Sequence, residues 1–90
     1  MNDSRPIRVL IADDHPVVRA GIKTMLEKDP NLHVVGEIGE GAQVESLTRQ
    51  WQPDVLVLDV NMPSLDPVAT TRRLKEQCPA FAHPGPDRLR

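Results

Sequence analysis

The chain has no tyrosine, one phenylalanine and one tryptophan, so it has little with which to stack nucleobases. Single-stranded nucleic acid is held by several aromatic platforms along a positive groove. Trp51 and Phe81 are the whole aromatic supply, and a net charge of -2 with pI near 5.8 provides no basic stripe. Direct nucleic-acid binding is not expected. The one cysteine, Cys78, excludes an internal disulfide, and no Cys/His set stands at zinc spacing, which fits a reducing compartment. A reactive thiol would need an electropositive setting, for which Arg72, Arg73 and Lys75 are the neighbours in sequence. No apolar run reaches the roughly 20 residues of a bilayer span, and MNDSRPIR lacks the apolar centre of a signal peptide. The expected place is the cytoplasm, with no membrane contact. The 90 residues leave room for one small domain.

What is present is a strand–helix alternation. Ile7 to Ala12 is a short, β-branched apolar run that predicts a strand buried on both faces, as in a parallel sheet. Pro16 suits a first helical position, and Val18, Ile22, Met25 and Leu26 recur at helical spacing until Asp29-Pro30. Leu32 to Val35 predicts a second strand, ended by Gly36, Gly39 and Gly41. Val44, Leu47 and Trp51 predict an amphipathic helix up to Pro53, and Val55 to Leu58 a third strand. Asp66-Pro67 predicts a cap and first turn, opening a helix through Thr71, Leu74 and Cys78 that stops at Pro79. The tail AFAHPGPDRLR has no apolar period and reads as a non-packing extension. Right-handed crossovers then predict a parallel α/β sheet of order 2-1-3. In that order the first and third strands adjoin at a topological switch point, which leaves a crevice at their C-terminal ends.

Three acids fall at that edge: Asp13 and Asp14 close the first strand, and Asp59 closes the third. Two carboxylates 4 Å apart repel by roughly 4 kcal/mol at an effective dielectric near 20, so the cluster needs a bound cation or raised pKa values. A donor set of oxygens favours a hard ion such as Mg2+. A carboxylate beside such an ion can attack phosphorus to give an aspartyl-phosphate, and Asp59 is the best nucleophile, exposed at its strand end before the VNMP turn. The alternative use of such acids is as turn and cap residues.

The segments IRVLIADDHPVVRAGI, PDVLVLDVNMP and ATTRRLKEQCP resemble the receiver domain of bacterial two-component response regulators, of the kind that carries a LuxR-type helix-turn-helix. The resemblance covers residues 7 to 79, so residues 1–79 are expected to form a partial receiver and residues 80–90 a non-homologous or disordered tail. It implies a flavodoxin-like fold in which Asp59 accepts a phosphoryl group from a sensor histidine kinase. It also implies that Asp13, Asp14 and Asp59 hold Mg2+, Asp14 more directly than Asp13, and that the backbone carbonyl of Asn61 completes the protein ligands. His15 matches a common residue type after the acid pair and is not expected to be catalytic.

Full receivers alternate five strands with five helices, whereas this chain supplies three of each. The expected fold is therefore an incomplete sheet, lacking strands four and five. With them go the Thr or Ser and the Lys that bind the phosphoryl group, and the aromatic switch residue. Lys23, Lys28, Lys75, Thr24, Thr48, Thr70 and Thr71 all fall on predicted helices or their ends. The abrupt change after Pro79 is what a frameshift or early stop leaves. Three consequences are expected: weak or absent phosphorylation, an open third strand able to pair with a second copy or a full-length response regulator, and no DNA-reading domain. Pro67 stands where the family has Gly, so the loop after Asp59 is expected to sit differently. Two further readings use the same residues. One is an inactive fragment or decoy that pairs through its open edge. The other is a small Mg2+-dependent phosphohydrolase, which would want an acid two residues past the nucleophile, where Asn61 stands.

Overall fold

The apolar run at the start of the chain forms β1 (Ile7–Ala12), and Val9, Leu10, Ile11 and Ala12 are all buried, as a strand covered on both faces requires. The structure is a computed structural model describing residues 5–78; the expectations for Pro79 and the tail at 80–90 lie outside the described residues. Pro16 opens α1 (Pro16–Glu27), where its missing N–H costs nothing. β2 (Leu32–Ile38) and β3 (Val55–Leu58) flank β1, both parallel to it, in the order β2-β1-β3. A short 3-10 turn at Gly41–Gln43 leads into α2 (Val44–Trp51). Asp66 caps α3 (Pro67–Gln77) by accepting the Ala69 N–H at 3.1 Å, so Pro67 sits at a helix start as its neighbour predicted.

Alternation along β1 divides the core in two. Leu10 and Ala12 face Ile38, Val44 and Met62, with Trp51, Leu56 and Leu65 packed around them. Val9 and Ile11 face the other way, onto Val34 and the partly buried Ile22, Leu26 and Val57. At the strands' N-terminal ends, Arg8 donates to the Gln52 and Trp51 carbonyls at 2.6 and 2.7 Å, satisfying the last oxygens of α2 and holding it to β1.

The elements differ from expectation in three places. β2 continues through Gly36 to Ile38 instead of ending at Val35. Gly36 is there because the Trp51 ring lies on it: a Cβ would fall 1.4 Å from Trp51 Cζ3. The pairing register also shifts between Val9 and Leu10, a bulge that leaves Val35 extra on β2. On α1 only Ile22 and Leu26 of the apolar stripe are half-buried against the sheet, while Val18 and Met25 are 48% and 69% exposed. On α3 the buried stripe is Thr70, Leu74 and Cys78, spaced by four, with Thr71 exposed. Among the described residues β3 pairs with β1 alone, and Val55, Val60 and Val68 are exposed nearby, so the expected open edge is present.

Candidate functional site

The sheet's hydrogen-bond ladder places the acids. Beyond the end of β1, the Asp13 N–H donates to the Ile38 carbonyl at 2.9 Å, and the Asp59 N–H donates to the Ala12 carbonyl at 2.9 Å. Those two bonds carry parallel pairing one step past the strands and set Asp59 beside the Asp13-Asp14 turn. One ligand atom from each of Asp13, Asp14, Asp59 and His15 lies within 4.8 Å of the others.

Each acid is used differently. Asp13 is buried, and its Oδ1 accepts the His15 backbone N–H at 2.8 Å and lies 3.0 Å from His15 Nδ1. The backbone N–H of His15, then its ring and the charge of Arg19, hold the Asp13 carboxyl below the usual carboxylate range, against the upward push of burial. Asp59 Oδ1 accepts the Asn61 N–H at 2.9 Å, which leaves Oδ2 toward the cluster, 3.7 Å from His15 Nδ1. Asp13 and Asp59 therefore each spend one oxygen on a tight turn, the bland role strand-end acids often have. Asp14 does neither. His15 occupies the N-cap position of α1, and Asp14 Oδ1 is buried without a hydrogen-bond donor, its nearest cation being His15 Nδ1 at 3.0 Å. A buried carboxylate oxygen that lacks a donor is costly unless a cation meets it.

That orphaned oxygen, with the free oxygens of Asp59 and Asp13, fits a hard divalent cation such as Mg2+. The Asn61 backbone, expected as a further ligand, is tied to Asp59 through its N–H. His15 was not expected in the cluster, yet its ring is drawn in by three carboxylates. The hydrogen bond to Asp13 and the charge of Asp14 raise its pKa above the ordinary imidazole value, and its Nδ1 stands 3.0 Å from Oδ1 of both acids. Its place after two acids and before a first-turn proline was the available signal. Cys78 is buried at the end of α3, and burial pushes its thiol up against the smaller influence of Gln52 and Arg49, so the setting is not that of a reactive cysteine. A cleft beside Asp14, lined by Gly39, Glu40, Ala42, Pro63 and Ser64, opens the acid cluster to solvent.

A family model for the response regulator receiver domain matches residues 9–82. The chain belongs to that family. It is 36% identical over 77 residues to the nitrate/nitrite response regulator protein NarL of Escherichia coli K12, a match covering 86% of this chain and 36% of that one. It is 41% identical over 73 residues to protein-glutamate methylesterase/protein-glutamine glutaminase 2 of Methanospirillum hungatei, covering 81% of this chain and 21% of that one. Among solved structures, the response regulator domain of Thermotoga maritima CheB superposes with a TM-score of 0.77 at 29% identity, over 83% of this chain and 56% of that one. This receiver chain thus spans about a fifth to a third of these curated relatives and about half of a solved receiver domain. The 2-1-3 sheet is the matching part of the flavodoxin-like receiver fold. No helix among the described residues is long and apolar enough to cross a membrane.

Proposed function

We propose that the chain is the phosphoryl-receiving part of a cytoplasmic two-component phosphorelay, with Asp59 as acceptor and a sensor histidine kinase as donor. Asp13, Asp14 and Asp59 would hold Mg2+ with the Asn61 backbone carbonyl, and the ion would neutralise charge on the transferring phosphoryl group. The observation that carries this is the convergence of three carboxylates from two parallel strand ends, one of them, Asp14, with a buried oxygen that accepts no hydrogen bond and has the His15 ring nitrogen 3.0 Å away. One carboxylate oxygen of Asp59 forms the new bond to phosphorus while the bond from phosphorus to the donor's leaving group breaks, with the electron pair going to the leaving group. The chain turns over no metabolite in this reading; it stores a phosphoryl group as a signal.

The 90-residue chain is expected to accept the group slowly. His15 and Arg19, the cations that act on Asp13, are already engaged, His15 with Asp13 and Arg19 with the Asp13 carbonyl and Glu37. The test is intact mass after incubation with Mg2+ and acetyl phosphate. A gain of one phosphoryl group in the parent and none in Asp59→Asn supports the proposal, and no gain in soluble parent contradicts it.

A second reading rests on the open β3 edge with its exposed Val55. In that reading the chain pairs with a second copy or a full-length response regulator and acts as a decoy without accepting phosphate. Light scattering that shows a concentration-dependent dimer indifferent to Mg2+, together with no mass gain, would favour it.

A further inference from the structure

Arg19 lies on the first turn of α1, but its side chain turns inward to the strand ends and is 20% exposed. Nη1 donates to the Asp13 carbonyl oxygen at 2.6 Å, and Nε donates to Glu37 Oε1 at 3.2 Å. Lys23 Nζ holds the other oxygen of Glu37 at 3.4 Å, so α1 grips the ends of β1 and β2 together. The room for the guanidinium comes from Gly39, where a Cβ would stand 2.9 Å from Arg19 Nη1. The carbonyl that Arg19 holds belongs to the planar peptide joining Asp13 to Asp14, so fixing that oxygen fixes the plane from which both acidic side chains depart. A charge-assisted bond to one carbonyl is thereby a constraint on two carboxylates.

We propose that Arg19 is a positioning residue for the cation site: through the Asp13 carbonyl it sets the β1–α1 turn that presents Asp13 and Asp14 toward Asp59. The proposal rests on the phosphoacceptor reading above. It makes a prediction opposite in sign to simple electrostatics. Removing a positive charge near a cation site should tighten cation binding by Coulomb's law, whereas loss of positioning should weaken it.

The test is calorimetric titration of the full chain with Mg2+ alone, on the parent, Arg19→Gln and Gly39→Ala, beside thermal unfolding in EDTA. Loss of an outer partner of a metal site typically costs about 10–100-fold in affinity, and Arg19→Gln is expected at the lower end of that range while still unfolding cooperatively. Gly39→Ala keeps the charge of Arg19 but takes its room, and is expected to weaken Mg2+ binding in the same direction. Should Arg19→Gln fail to fold, Gly39→Ala and the charge-retaining Arg19→Lys decide: weaker binding in both supports the proposal, and parental binding in both overturns it. Parental or tighter binding in a folded Arg19→Gln also overturns it, leaving the phosphoacceptor reading intact. A folded parent that takes up no Mg2+ overturns both.

Discussion

The two faces of the sheet are built from the same three strands and end up unequal. On one face Leu10, Ala12, Ile38, Val44 and Met62 are closed over by Leu47 and Trp51 of α2 and by Leu65; on the other, α1 is the one helix among the described residues that covers Val9, Ile11 and Val34, and it buries none of its own residues fully. The difference shows where folding free energy and function are separated. The closed face holds the strands in register, and the acidic turn rises from β1 at the rim between the faces, where Asp13 and Asp59 are one ladder step past the last paired residues. Site geometry is thus inherited from the closed face, while α1 contributes Arg19 and His15 from the thinner one.

The comparison breaks most sharply with Leu10→Ala, which empties a fully buried position of the closed face and should cost about 2–5 kcal/mol in urea unfolding. Ile22→Ala on the half-covered face should cost about 1–2 kcal/mol, since that side chain is only partly buried. Equal losses would mean that the two faces share the load. Glycines on the two faces should next respond with opposite signs. Gly36→Ala must displace the Trp51 ring and should destabilise by about 1–3 kcal/mol, with a visible change in Trp51 fluorescence. Gly21→Ala, in an α1 position where a Cβ meets nothing within 4 Å, should stabilise by about 0.5–1 kcal/mol. The smallest effect concerns Cys78. Buried, and with its thiol pKa raised, it should stay protonated and react slowly with a disulfide reagent at neutral pH, the rate climbing only as pH passes the ordinary thiol value. Rapid labelling of the native chain at neutral pH would show that α3 does not hold its end down.

Much of this was legible in the residues because strands and helices advertise themselves by period. The apolar runs of β1 and β3, Pro16 and Asp66-Pro67 marked element type and start, and the alternation implied the 2-1-3 order that the structure has. What escaped were facts about space, not about local chain preference. Gly36 reads as a strand stop in a glycine-rich stretch, yet it is a seat for a ring that arrives from α2. Thr70 and Thr71 are indistinguishable as neighbours, and only the helix phase set by the Asp66 cap decides that Thr70 goes in. Asp13, Asp14 and Asp59 could be assembled from strand ends, with His15 two residues after Asp13, but the turn of Arg19 from α1 to the Asp13 carbonyl and to Glu37 of β2 is a side chain crossing between elements, which spacing does not encode.

The most direct test of the central claim, that two strand ends build one cation site, is a Mg2+ titration followed by amide NMR of the full chain. The account predicts that Asp13, Asp14, Asp59 and Asn61 amides shift together along a single binding curve. Shifts confined to one strand end, or separate curves for the β1 and β3 ends, would contradict it.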